Sequence, residues 1–220
     1  MDQYFNRSEV SNSDLGQLKD FLNPSNVFAD KYNAYRIGTL IDAIITEPEK
    51  LNLYTRKLED YTYSADEIEL AKDMKKVYLK DDLCKMLHNL SEFQNVFTKR
   101  IELDYEGYVY NLNMRCKFDL WMPKLNHGAD IKSTACTTQK QFEDACLHFD
   151  YDRQRAVYML LSGAQKDMII GISKKNLKIF KVPVTRDSEF FKSGIEKLWN
   201  DGFKWWTFFG ENKAAVCLTH

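Results

Sequence analysis

Proline and glycine are scarce, with 4 Pro and 9 Gly in 220 residues, which excludes a collagen-like or low-complexity chain. No apolar run approaches the roughly 18 residues of a membrane-spanning helix, so no membrane partner is expected. The opening MDQYFNRSEV is polar and has no apolar segment, so no secretory leader is expected. Neither sign of charge dominates: 31 Lys+Arg stand against 32 Asp+Glu, a net of −1. A polycation that coats nucleic acid through bulk charge is thereby excluded, although a local basic groove is not. The 5 cysteines (84, 116, 136, 146 and 217) contain no Cys-x-x-Cys and no pair at zinc-finger spacing. They read as buried free thiols in a reducing, cytoplasmic compartment.

What is present is ordinary for a globular chain: 44% hydrophobic and 29% charged residues, with length enough for a sizeable core. One domain is expected over residues 1–220. Its parts would be a mainly helical stretch at 1–95, a sheet core at 96–185, and a C-terminal helix with an aromatic tail at 186–220. Ser13 is a candidate cap for a first helix ending at Asn23-Pro24. Ala34, Ile37, Ile41, Ile44 and Ile45 predict a second helix from about Tyr32 to Thr46, stopped by Glu47-Pro48. Residues 64–91 predict two helices split near Lys80–Asp82, with Ser64 and Asp66 as candidate caps. FTKRIELDYEGYVYNLNMRCKFDLWM alternates and predicts a meander of three strands, with GADIKST as a further strand. Helices are expected on both sides of Phe149-Asp150, then strands DMIIGISK and LKIFKV, then a helix from Ser188 to Trp199. The order predicts an α/β fold with a mixed central sheet.

Chemistry-bearing residues cluster around that sheet. Asp119 follows the alternating run Met114–Phe118. Asp130 and Lys132 are two apart on a strand and leave the same face. Gln154 and Tyr158 are four apart on one helix face. Two neighbouring strands can bring the two aspartates together, where unpaired buried anions are costly. A divalent cation such as Mg²⁺ removes that cost, and a nearby lysine can orient a water or stabilise its hydroxide.

The run KFDLWMPKLNHGADIKSTACTTQKQFEDACLHFDYDRQRAVYML resembles the nuclease core of the PD-(D/E)XK superfamily, more narrowly its exodeoxyribonuclease VIII-like (RecE-like) branch from phages and prophages. The Asp, the Asp-x-Lys and the Gln-x-x-x-Tyr stand in order. YRIGTLIDAIITEPEKL is similar to that family's Gly-Thr-x-x-His helix, and SNSDLGQLK to its start. The resemblance spans about residues 10–185. It implies a restriction-endonuclease-like core that hydrolyses DNA phosphodiesters at duplex ends, 5′→3′, in phage-type recombination. Asp119 and Asp130 would ligate Mg²⁺ (Mn²⁺ as substitute), with the Ile131 carbonyl as a third ligand and Lys132 as the catalytic lysine. Gln154 and Tyr158 would lie on a helix that contacts DNA. A recombinase or single-strand annealing protein, and a homo-oligomeric ring around DNA, are the implied partners. Competing activities on the same fold are a structure-specific or restriction-like endonuclease, or an inactive DNA-binding module.

Several positions keep two readings. Asp42 stands where this branch has histidine, as a metal ligand or as a surface residue of its helix; Glu47 is a weaker acidic candidate. Arg153 and Arg155 would meet phosphates or stand solvated on their helix. Ser133 and Thr134 would bind a phosphate or finish a strand. The lysines at 166, 174, 175, 178 and 181 form a basic patch or the wet face of a hairpin. Trp205 and Trp206 would stack on bases or pack a tail. His127 reads as structural. Cys217 is the one late cysteine beyond the core, so no iron–sulfur cluster is expected.

Overall fold

The structure, a computed structural model, describes residues 3–24 and 31–213; Cys217 and His220 lie outside them. Ser11 rather than Ser13 caps α1 (Asn12–Leu22), because Asp14 stands three positions on and completes a reciprocal capping box. Helix α2 (Lys31–Thr46) stops at Glu47-Pro48 as expected, and a small hairpin of β1 (Lys57–Leu58) and β2 (Tyr61–Thr62) follows. Ser64 and Glu67 form the capping box of α3 (Ala65–Lys80), which places Asp66 inside the first turn. Asp81 caps α4 (Asp82–Leu90).

The expected three-stranded meander is instead one long hairpin, β3 (Glu92–Tyr105) and β4 (Tyr108–Met122). Its turn sits at Glu106-Gly107, both with positive φ (52° and 85°), and no Gly or Pro breaks the second arm. Next come β5 (His127–Thr134), α5 (Gln139–His148), α6 (Tyr151–Ser162), β6 (Lys166–Ser173), β7 (Ile179–Thr185) and α7 (Glu189–Phe209). The sheet order is β3-β4-β5-β6-β7, with β5 and β6 parallel and the other neighbours antiparallel. Helices α5 and α6 make the crossover that a parallel pair requires.

Both faces are covered. Residues of α1, α6 and α7 pack with Leu112, Met114, Cys116 and Phe118 of β4. Residues of α2, α3 and α4 pack with Leu120, Met122, Ile131 and Ile170 on the other side. Helix α7 runs ten residues past the expected end at Trp199. Asp201 would weaken it there, but Arg153 of α6 pairs with that carboxylate. Trp205 is therefore buried in the core and does not offer its ring to a base.

Helices α6 and α7 cross closely at Gly194, where a Cβ would stand 2.2 Å from the Asp152 carbonyl oxygen. Backbone cannot yield as a side-chain tip can. Gly194→Ala is therefore expected to lower stability by about 1–3 kcal/mol in urea denaturation. An unmoved midpoint would mean that the two helices stand further apart in solution.

Candidate active site

Strand β4 pairs with β5 only at Leu120–Met122. Further back its free edge is taken by the N-terminal segment: Val10 N–H donates to the Asn113 carbonyl at 2.7 Å, and Arg115 N–H donates to the Val10 carbonyl at 2.9 Å. Between these pairings the sheet opens, and Asp119 lies in the opening. Its Oδ2 accepts from Ile131 N–H at 2.7 Å, so a carboxylate takes the place of a ladder carbonyl.

The hairpin changes phase at the same point. Phe118 faces α6 and α7, whereas Leu120 faces α2–α4, although strict alternation would keep both on one face. Opposite Asp119 the ladder skips Gln94, whose φ is 55°. This local reversal admits Asp119 to the cleft between the two strands.

Asp130 and Lys132 leave β5 toward α6, as the two-residue spacing predicts. Asp130 is buried between two cations: Arg155 Nη2 donates to Oδ1 at 2.8 Å, and Lys132 Nζ stands 2.6 Å from Oδ2. Burial opposes its ionisation, but Arg155 and Lys132 outweigh that and hold the carboxyl below its usual range. Burial likewise opposes the Lys132 ammonium, and Asp130, Tyr151 and Asp119 together raise its pKa. The ammonium lies 4.9 Å from the centre of the Tyr151 ring, at the first turn of α6. Asp119 is pushed well above the ordinary carboxylate range by burial and by the charges of Asp42 and Asp130.

Asp42 brings a third carboxylate from α2. Gln94 Nε2 donates to both its oxygens at 3.1 Å, and Thr46 Oγ1 lies 3.2 Å from Oδ1. Burial and the Asp130 charge push its carboxyl up, against the pull of Thr46 and Lys117. Asp42 is thus half-buried among the site's acids rather than on an open helix face. Glu47, one residue past α2, pairs with Lys50 at 2.7 Å.

The family of PDDEXK-like domains of unknown function (DUF3799) matches residues 14–198. The chain belongs to this family. Among solved structures, the crystal structure of SSO0001 is similar, with 15% identity, 74% of each chain covered and a TM-score of 0.37. A phage-related exonuclease from Haemophilus somnus 129PT is also similar, with 12% identity, 88% of this chain and 94% of that chain covered, and a TM-score of 0.39. No curated protein matches the sequence.

This PDDEXK-like domain gathers Asp42, Asp119, Asp130 and Lys132, but it uses its arginines differently from the sequence expectation. Neither Arg153 nor Arg155 is available to phosphate, because both are buried among carboxylates. Arg153 pairs with Asp201 and donates from Nε to Asn12 Oδ1 at 2.9 Å. Arg155 joins Asp130 to Asp167, 3.4 Å away, and stacks 4.0 Å from the Tyr158 ring centre. Tyr158 is buried against Phe118, so its ring supports Arg155 instead of facing solvent. Gln154 is half-buried, and its Oε1 has no hydrogen-bond partner among the described residues. Thr134 Oγ1 accepts from Cys136 N–H at 3.1 Å and so ends the strand, while Ser133 is half-buried beside it. Ile131 packs its side chain into the α2–α4 core. Lys181 is committed to Asp81 at 2.6 Å.

Sequence reasoning missed Gln94, Thr46, Tyr151 and Asp167. Only Asp167 left a signal, as the lone acid in a lysine-rich segment beside the apolar Met168–Ile170. Burial raises its carboxyl to about 6 despite Arg155.

PDDEXK nucleases generally use divalent metals. Among the described residues no three carboxylate, imidazole or thiol groups already converge as a ligand set. The donor chemistry nevertheless fits a hard cation. Two of the three acids are destabilised as anions by burial and mutual repulsion, which a bound divalent ion would relieve. Gln94 Oε1 and Gln154 Oε1 are buried oxygens without partners.

Proposed function

We propose that the protein is a metal-dependent deoxyribonuclease that degrades duplex DNA from its ends. The observation that carries this reading is the pair of buried acids Asp119 and Asp130 beside a charged Lys132 where β4 and β5 part, with Asp42 near enough for its charge to act on Asp119. Asp119 and Asp130, with Asp42 and the Ile131 carbonyl, would hold Mg²⁺, or Mn²⁺ in its place. The ion supplies Lewis-acid polarisation of the scissile phosphate and lowers the pKa of a bound water.

The chain's own residues do the rest. Lys132 is kept protonated by Asp130, so its Nζ donates to a phosphate oxygen as negative charge builds there. Arg155 holds Asp130 ionised. Tyr151 fixes the lysine from its other side. Phosphate contacts would dominate affinity, which gives little sequence preference and a steep loss of binding with salt.

The resemblance to RecE-like enzymes supports 5′→3′ polarity and a role in phage-type recombination in the bacterial cytoplasm. It also supports a ring of subunits and a recombinase or annealing protein that takes the product strand. No helix among the described residues is long and apolar enough to cross a membrane.

The test is incubation of end-labelled linear DNA and covalently closed circles with Mg²⁺, with Mn²⁺, or with excess chelator. Linear DNA is expected to disappear with either metal, circles to survive, and the chelator to stop the reaction. Cut circles would make the protein an endonuclease. Cleavage in chelator would remove the metal from the mechanism.

A further inference from the structure

Strand β3 pairs with β4 residue by residue from Glu92 to Tyr105, except at Gln94, opposite Asp119. A φ of 55° there is left-handed, a conformation that a long side chain adopts only where its surroundings over-determine it. The consequence is a side chain swung onto α2. Gln94 Nε2 lies 3.1 Å from both carboxylate oxygens of Asp42 and 3.0 Å from Thr46 Oγ1. Its Oε1 is buried and accepts nothing from the described residues. The opposite amide orientation would set that oxygen against a carboxylate, so the donor end belongs on Asp42. One residue thus has a strained backbone, a grip on two oxygens of a site acid, and an unused buried acceptor.

We infer that Gln94 is a positioning residue of the divalent-cation site: its amide nitrogen fixes the Asp42 carboxylate beside Asp119 and Asp130, and its amide oxygen offers the hydrated cation a neutral acceptor. The inference rests on the metal-dependent reading above. It explains why the ladder breaks where it does. An ordinary strand residue at 94 would keep the pairing and leave the Asp42 carboxylate held by Thr46 alone from that side. Partners of this kind set the orientation and basicity of a ligand, and their loss weakens metal binding without removing it.

The decisive variant is Gln94→Gly, because glycine suits the left-handed backbone while removing the side chain that carries the amide. Thermal unfolding of the metal-free variant is expected at the wild-type midpoint or above it. The Mg²⁺ concentration giving half of the metal-induced thermal shift should rise by about 10–100-fold, and the half-activating concentration for cleavage should rise in parallel. Gln94→Asn also tolerates this backbone, withdraws the amide by one methylene, and should shift both midpoints in the same direction if glycine weakens the strand. Lys132→Met, assayed alongside, separates the two claims. An inactive Lys132→Met with wild-type Mg²⁺ midpoints in both Gln94 variants overturns the role of Gln94 and leaves the nuclease standing. A fully active Lys132→Met overturns the assigned catalytic lysine, absence of metal-dependent cleavage in the wild type overturns the nuclease, and the thermal midpoints still decide Gln94. Loss of stability with unshifted Mg²⁺ midpoints would make Gln94 purely structural.

Discussion

Lys132→Met is expected to slow cleavage of linear duplex DNA by about 10²–10³-fold, the usual loss for one donor aimed at developing charge. The fold should survive. Asp130 keeps Arg155 as a partner at 2.8 Å, and methionine keeps most of the apolar stem against Tyr151. Losing one charge-assisted contact costs about 1–3 kcal/mol, which urea denaturation can measure beside the rate. Asp130→Ala is the poorer probe of chemistry. It removes one of only two carboxylates that neutralise a fully buried guanidinium, so lost activity would be mixed with lost stability. A Lys132→Met rate within tenfold of wild type would sink the assigned site.

Arg155→Met is expected to destabilise the protein by about 3–5 kcal/mol, the cost of stranding buried charges. Asp167, fully buried, loses its cation, and Asp130, 3% exposed, loses one of two and keeps Lys132. Arg155→Lys should not rescue it, since one ammonium cannot reproduce a planar fork that spans two carboxylates and stacks on Tyr158.

The deficit should also depend on pH. In the wild type Asp130 is held below its usual range, so its contribution is present above the unfolded value of about 3.9 and is lost only as pH falls through its lower folded value. Asp167 already lies above the unfolded value, at about 6, with Arg155 in place, and loss of Arg155 should raise it further, while Asp130 keeps Lys132. The protonated form of Asp167 favours folding, and that gain is complete below about pH 4 and lost as pH rises. The gap between variant and wild type should therefore narrow from pH 8 toward pH 5. A gap constant across that range would show that the carboxylates have found another counter-charge.

Much of the site was readable along the chain because its parts obey local periods. Asp130 and Lys132 share a strand face at a spacing of two, and Asp119 stands one strand earlier. The Gln-x-x-x-Tyr spacing was read correctly as one helix, but not what that helix does. Tyr158 and Arg155 turn inward because α6 is covered on both sides, by the sheet and by α7. The arginines therefore serve carboxylates, although an arginine on an amphipathic helix reads equally well as a phosphate contact.

The fold class, most helix boundaries and the acid–lysine core are products of short-range pattern: the capping box at Ser64, the Asp81 cap, the Glu47-Pro48 stop, and alternation in the strands. Three things were settled only by packing. The hairpin reverses its faces at Gln94 and Asp119, where β4 parts from β5 and the Asp119 carboxylate takes the Ile131 N–H. Helix α7 continues past Trp199 because Arg153 neutralises Asp201. Asp42 joins the other acids because a glutamine fifty-two residues away in sequence folds back onto it. A period of two or 3.6 is written in neighbouring residues. A buried charge finds its counter-charge only when distant segments meet, and no local pattern records that meeting.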